Sequence, residues 1–449
     1  MKAGDTMTKK KSSLFSLSWP IYIELLFIMF LGVADTLMLS QYSDLSVAAV
    51  GNGKEVSRLF IVVLNVASVG VGVVVSQYLG SNDLTQAKKA MKTGIFGNVL
   101  IAFILIAIIQ FFGVSIFRML NTSPEIFADS LLYLRIISFG FLFLAVTQAA
   151  GFGFKAFGHP KVVMYIVAGM NVLNVILNYL FIFGAGPFPE LGVEGAAYAT
   201  FASKGFAFIL TLIFLWRYLK IVPFFLRFKP LKKYYVKILK IGLPSAGEHF
   251  VHRFSLVVIL GFLNTIGTSA LTAHIYVQNM MMPVVIFSLA VAQGNQVIIG
   301  WNVGARNFDD AHTQTLKTLR VAITFVLIVS TAIFINSNYI LGFFTDNPEV
   351  IALGRRALFI GIFLEVGRMS NIVVIHALRA AGDVIFPVVI AMFSMLSLMV
   401  GLSYLLGVRW ELGLVGIFIA LATDEIIRGT LVFIRWIKGS WRDKQVVGT

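Results

Sequence analysis

Residues Trp19 to Leu39 read WPIYIELLFIMFLGVADTLML, a greasy run that nevertheless holds two acids, Glu24 and Asp35. About 20 apolar residues in a helix cross the hydrocarbon core of a bilayer. An ionised carboxylate there costs several kcal/mol or more unless something pairs with it or protonates it. This run decides the class of fold: a membrane-crossing helix whose acids need a purpose.

The composition extends the pattern to the whole chain. Of 449 residues, 58% are hydrophobic and 13% charged, where a soluble domain carries roughly 25% charged residues. Forty-one phenylalanines and thirty-nine glycines suit packed membrane helices, in which Gly permits close helix contact. The absence of cysteine removes disulfides, thiol catalysis and thiolate metal sites together. There is no GxxxxGK[ST] phosphate loop, so ATP hydrolysis is not expected, nor any other enzyme activity. The formal charge of +15 does not point to nucleic acid, because the basic residues cluster between the apolar runs.

Twelve apolar runs follow one another between residues 17 and 436, the second near 56–79, the sixth near 193–218 and the seventh near 241–264. Only helices or closed barrels satisfy the backbone in lipid. The runs are too long and too uniform for barrel strands. The expected fold is therefore all-α and polytopic, with twelve transmembrane helices. Lys2, Lys9, Lys10 and Lys11, then Lys88, Lys89 and Lys92, then Lys155 and Lys161, and the tail residues Arg435, Lys438, Arg442 and Lys444 fall on one side after even numbers of crossings. That places both termini in the cytoplasm of a multi-pass protein of the cell's inner membrane. The divisions are a cytoplasmic head 1–16, an N-terminal lobe 17–218, a basic linker 219–240, a C-terminal lobe 241–436 and a tail 437–449. The linker either lies on anionic headgroups or is a soluble tether. The tryptophans, Trp436 and Trp441 among them, are expected as interfacial anchors.

A shift of 224 residues relates the halves. Pro20 and Glu24 match Pro244 and Glu248, GSNDLTQA from Gly80 matches GARNFDDA from Gly304, Pro124-Glu125 matches Pro348-Glu349, and KAFGHP from Lys155 matches RAAGDV from Arg379. With a slightly shorter shift, LGVEG around Gly192 matches LGLVG around Gly413. Six crossings per half give both lobes the same orientation, so a pseudo-two-fold axis along the membrane normal should relate them. A cleft between two such lobes is the geometry of alternating access.

The intramembrane polar groups are the candidate sites. Burial favours the neutral form of a carboxyl, so Asp35 could take up and release a proton, hold sodium with neighbouring oxygens, or tie helices together as a hydrogen-bonded acid. Asn174 and Asn178, four apart, share a helix face with Asn171 nearby, and Thr200 offers a hydroxyl. Together they could complete a pocket around Asp35, or simply bond helix to helix. Glu248 and His252 sit at i and i+4, where an acid and a base can share a proton or neutralise each other. Glu24 lies near the same end and could act at an entrance. Glu365 with Arg368, and Glu425 with Arg428 beside Asp424, have pairing distances on their helices. Met281 offers an adaptable substrate wall or ordinary core packing. No convincing metal set appears.

GVADTLML with Asp35, GSNDLTQAKKA, GHP, LRAAGD and LGVEGAAYAT, in this order and over nearly the whole chain, resemble the multidrug and toxic compound extrusion family, in particular its prokaryotic DNA-damage-inducible branch. The resemblance implies a cation-coupled antiporter without cofactors. Protons or sodium would run inward while amphiphilic, often cationic drugs leave through a V-shaped cleft, from a monomeric unit whose other partners are membrane lipids. Asp35 matches the family's acid in the first helix, and Asn174 and Thr200 match its polar supports. Some relatives carry an aspartate in the fifth helix, where this chain has Asn178. Another branch carries acids near Val251 and His252 and near Gly367 and Arg368, so neither its C-terminal sodium site nor a two-carboxylate N-terminal scheme carries over. On that comparison the proton stands ahead of sodium. A flippase for lipids or lipid-linked precursors is the alternative within related two-lobed proteins, and would need a strongly cationic cleft. A non-transporting membrane receptor, which would need no counter-ion, is a third class.

Overall fold

Among the described residues, twelve long helices account for the twelve apolar runs. The computed structural model describes residues 13–221 and 231–447. The expectations for the head up to residue 12, for linker residues 222–230 and for the last two residues lie outside the described residues. In chain order the helices are α1 (Leu14–Ser40), α2 (Asp44–Gly80), α3 (Leu84–Met119), α4 (Pro124–Ala156), α5 (Pro160–Ile182) and α6 (Gly192–Leu219), followed by α7 (Lys232–Ile266), α8 (Thr268–Gly304), α9 (Phe308–Ile335), the short α10 (Ser337–Gly342), α11 (Pro348–Ala381), α12 (Ile385–Ser394) and α13 (Gly413–Ile437). Beyond Ser394, α12 widens into π-helical turns as far as Arg409. Among the described residues, eleven spans are long and apolar enough to cross a bilayer by length and composition. The twelfth long helix, α13, carries Asp424, Glu425, Arg428 and Arg435.

Local chemistry sets the boundaries. Pro124, Pro160 and Pro348 open their helices, where a missing N–H costs nothing. Asp83 accepts from the Gln86 amide at 2.9 Å, and Asn347 from the Glu349 amide at 2.9 Å, satisfying otherwise orphaned donors. The sequence repeat recurs in the backbone. Asn82 and Arg306 both sit at φ 60, Gly158 at φ 78 matches Gly382 at φ 95, and Gly192 at φ 53 matches Gly413 at φ 58. Glycine is required three residues later by close approach. A Cβ at Gly195 would lie 2.4 Å from the Phe181 carbonyl oxygen, and one at Gly416 would lie 2.6 Å from the Leu406 carbonyl carbon.

The chain divides into two compact units, one of Ile23–Ala246, the other of Met1–Tyr22 with Gly247–Thr449. The divisions fall inside α1 and inside α7, again 224 residues apart. In the first unit α4 packs on α2, α3 and α6. Asn98 ties three of these helices together, donating to Ser68 Oγ at 2.8 Å and to the Ala145 carbonyl at 3.2 Å. The start of α7 belongs to the same unit. Helix begins at Lys232, ahead of the expected seventh span, and buries Tyr234 edge-on to Tyr78 at 5.9 Å between ring centroids. In the second unit α11 packs on α8, α9 and α13, with Thr318 donating to Asn295 Oδ1 at 2.9 Å.

Trp436 and Trp441 are not interfacial anchors. Both are fully buried, their rings parallel and 4.2 Å apart. Trp441 also donates to the Trp436 carbonyl at 2.9 Å. Packing against its own unit outweighs the interfacial preference of the indole.

Candidate functional site

Asp35, on α1, is 8% exposed, and donors from two other helices meet its carboxylate. Lys54 Nζ, on α2, lies 2.8 Å from Oδ2. Asn178 Nδ2, on α5, donates to Oδ1 at 2.7 Å and to Asn174 Oδ1 at 3.0 Å. The second bond fixes the first: four residues apart on one helix face, Asn174 holds the Asn178 amide with its nitrogen turned to the acid. Asn171, a turn earlier, donates instead to the Phe27 carbonyl. Thr200, on α6, lies beside Tyr133, which is buried on α4 and within electrostatic range of Asp35. One turn beyond Thr200, Lys204 lies against Gly140 and places its ammonium 5.9 Å from the centre of the Phe141 ring. It is within electrostatic range of both Lys54 and Asp35.

The structure thus links Asp35 to Asn178 and, through it, to Asn174, and places Thr200 beside Tyr133 near the same acid. Sequence reasoning missed Lys54, Tyr133 and Lys204. With Asp35 ionised, Asp35, Lys54 and Lys204 sum to one positive charge; with Asp35 neutral, to two.

The other predicted residues lie mostly in the second unit. On α13, Arg428 donates to Asp424 Oδ2 at 2.9 Å and to Glu425 Oε1 at 2.8 Å. On α11, Arg368 pairs with Glu365 and reaches Glu425 Oε1 at 3.8 Å, while Asn371 donates to Glu425 Oε2 at 2.8 Å. Ser394, at the onset of the π-helical turns, donates to Asp424. Three carboxylates and two guanidiniums therefore form one network. Such a network serves as structural glue as readily as a relay, and within it Glu365 Oε2, Arg428 Nε and Asn371 Oδ1 have no hydrogen-bond partner among the described residues.

His252 lies within electrostatic range of Glu425, Arg428 and Arg368. Its i,i+4 neighbour Glu248 pairs not with it but with Arg379. Glu24 is likewise held, by Lys155 Nζ at 2.9 Å. Met281 is 4% exposed and packs in the hydrophobic core. Among the described residues no group of three or more His, Asp or Glu gathers as a metal site.

Known proteins share this plan. The MatE family model matches the chain twice, over residues 20–180 and 244–405. The uncharacterized transporter YisQ of Bacillus subtilis (strain 168) is 37% identical over 437 residues, covering 97% of this chain and 96% of YisQ. The probable multidrug resistance protein NorM of Thermotoga maritima is 28% identical over 453 residues, covering 97% and 94%. A solved structure described as the outward-facing conformation of a multidrug resistance MATE family transporter superimposes with a TM-score of 0.86 at 20% identity, covering 96% of each chain. Another, of a MATE protein in a bent conformation, gives a TM-score of 0.88 at 20% identity over 96% and 95%.

Proposed function

The chain belongs to the MatE family, and from that premise we propose that it is a proton-coupled antiporter exporting amphiphilic, often cationic small molecules by alternating access. As a multi-pass membrane transporter, it would work as a monomer with both termini in the cytoplasm of the bacterial cell membrane. The observation that carries the reading is the setting of Asp35, a carboxylate in a membrane span between Lys54 Nζ at 2.8 Å and Asn178 Nδ2 at 2.7 Å.

In the proposed cycle Asp35 accepts a proton from the outer side. Its negative charge disappears, Lys54 loses its counter-ion, and a cationic cargo meets two uncompensated lysines and leaves. After the unit becomes accessible from the cytoplasm, Asp35 gives up the proton and cargo reloads. Only the difference in affinity between the two protonation states drives the exchange. The polar network around Arg428 and the held acids Glu24 and Glu248 would support the moving helices.

Efflux of a cationic dye from proteoliposomes, driven separately by a proton and by a sodium gradient, tests this reading. Dye should follow the proton gradient in the wild type and stall in Asp35→Asn. Movement unaffected by the substitution would refute the role of Asp35. One observation favours a second reading, a flippase for anionic lipids or lipid-linked precursors: two basic side chains, Lys54 and Lys204, lie near Asp35 inside the N-terminal unit. Lipid scrambling in the same vesicles, without dye efflux, would support that alternative.

A further inference from the structure

A sodium ion is a hard cation and requires several oxygen atoms converging on one point. Around Asp35 it would find nitrogen. Lys54 Nζ occupies Oδ2 at 2.8 Å. Oδ1 faces Asn178 Nδ2 at 2.7 Å, and that nitrogen also donates to Asn174 Oδ1 at 3.0 Å, while Asn178 Oδ1 is buried without a hydrogen-bond partner and would be open to a cation once Lys54 is gone. Thr200 lies beside Tyr133, and Lys204 brings a second basic side chain within electrostatic range. These groups come from four helices, α2, α4, α5 and α6. Lys54 is also partly accessible, with a side chain 24% exposed, so it is a group that can be displaced.

We propose that Lys54 is the specificity-determining residue of the Asp35 site: its ammonium is a tethered cation seated where a sodium ion would bind, and it restricts coupling to protons. A proton can still compete, because it neutralises the carboxylate and releases Lys54 without adding a second cation beside it. Sodium must either displace an ammonium held by its own chain or sit against it, and like charges at contact in a poorly screened site repel strongly. The inference rests on the reading of Asp35 as the coupling residue.

The test is sodium binding by the full-length purified protein, measured as a sodium-specific change in melting temperature against choline at constant ionic strength, and as retention of radioactive sodium. The wild type and Lys54→Arg should show neither. Lys54→Met should gain a sodium-specific rise of about 2–4 °C together with bound sodium, and both should vanish in Lys54→Met combined with Asp35→Asn. Sodium binding by the wild type that is lost in Asp35→Asn would overturn the proposal, even if Lys54→Met fails to fold. A folded Lys54→Met that ignores sodium would overturn it as well. Failure of the coupling reading looks different: there, Asp35→Asn leaves proton-driven dye efflux intact, whatever sodium does.

Discussion

Lys155 Nζ donates to Glu24 at 2.9 Å, and the copy of this bond in the other unit joins Arg379 to Glu248. Each pair spans 131 residues of chain, and each closes an early helix onto the turn that ends a later one. Both are largely buried, with side-chain exposures of 7% and 8% in the first pair and 5% and 11% in the second. The repeat thus preserves a contact, and the change from lysine to arginine leaves its role intact. Removing one partner of a buried pair strands the other charge, at a cost of about 3–5 kcal/mol. Lys155→Met and Arg379→Met should each lower the melting temperature, and Lys155→Met combined with Glu24→Leu should recover most of the loss. A double variant no better than the worse single one would show that the pair acts through something other than its charges.

Arg428 is the hub of the second unit's network, holding Asp424 and Glu425 at 2.9 and 2.8 Å. Arg428→Leu leaves both acids without their main counter-charge and should destabilise by about 3–5 kcal/mol. Arg428→Lys, which keeps the charge but not the forked geometry, should cost less. Thermal unfolding of the two variants, side by side, checks the order.

The close approach at Gly195 predicts an asymmetric response to added methyl groups. Gly195→Ala would place its Cβ 2.4 Å from the Phe181 carbonyl and should cost about 1–3 kcal/mol through overpacking. Gly261→Ala, on α7 with nothing within 4 Å of the new carbon, should be neutral or stabilising by up to about 1 kcal/mol. Equal effects on melting temperature would contradict the packing described for α6.

His159, in the turn between α4 and α5, lies tilted against Tyr218 at 5.4 Å between ring centroids, and burial pushes its imidazole below the usual 6.5. The unfolded chain therefore takes up the proton first. Stability is level above about pH 6.5 and falls as the pH drops toward the lowered value. His159→Gln removes this contribution, so its melting temperature should decline less than the wild type's on going from about pH 7 to about pH 5. An identical decline would place the acid sensitivity elsewhere.

Much of this was legible in the sequence because membrane helices announce themselves by length and apolarity. The shift of 224 residues predicted matching features that reappear as backbone angles at Asn82 and Arg306. Asp35 stood out as a deep acid in a greasy run. Lys54 was hidden because α2 begins at Asp44, well before its apolar run, and a lysine at that point reads as outside the membrane. Lys204 lies inside the sixth apolar run, and the rule that singled out Asp35 applies to a buried cation equally. Lys155 served in the sequence as a marker of the cytoplasmic side, yet it is 5% exposed and holds Glu24. Hydropathy reports where a residue sits along a helix, not which neighbour it meets, so pairs that join distant helices had to come from the fold. The division of α1 between Tyr22 and Ile23 has no hydropathy signal for the same reason.

If cargo and proton exclude each other at Asp35, protons must be released when cargo binds, and their release is the most direct measurement. Linkage requires that a proton which weakens cargo binding be expelled by cargo in turn. Adding a cationic dye to the purified protein in weakly buffered solution with a pH indicator should release up to about one proton per protein from the wild type and none from Asp35→Asn, with dye binding followed in parallel. Dye binding that releases no proton from the wild type at any pH across its titration range would contradict the account.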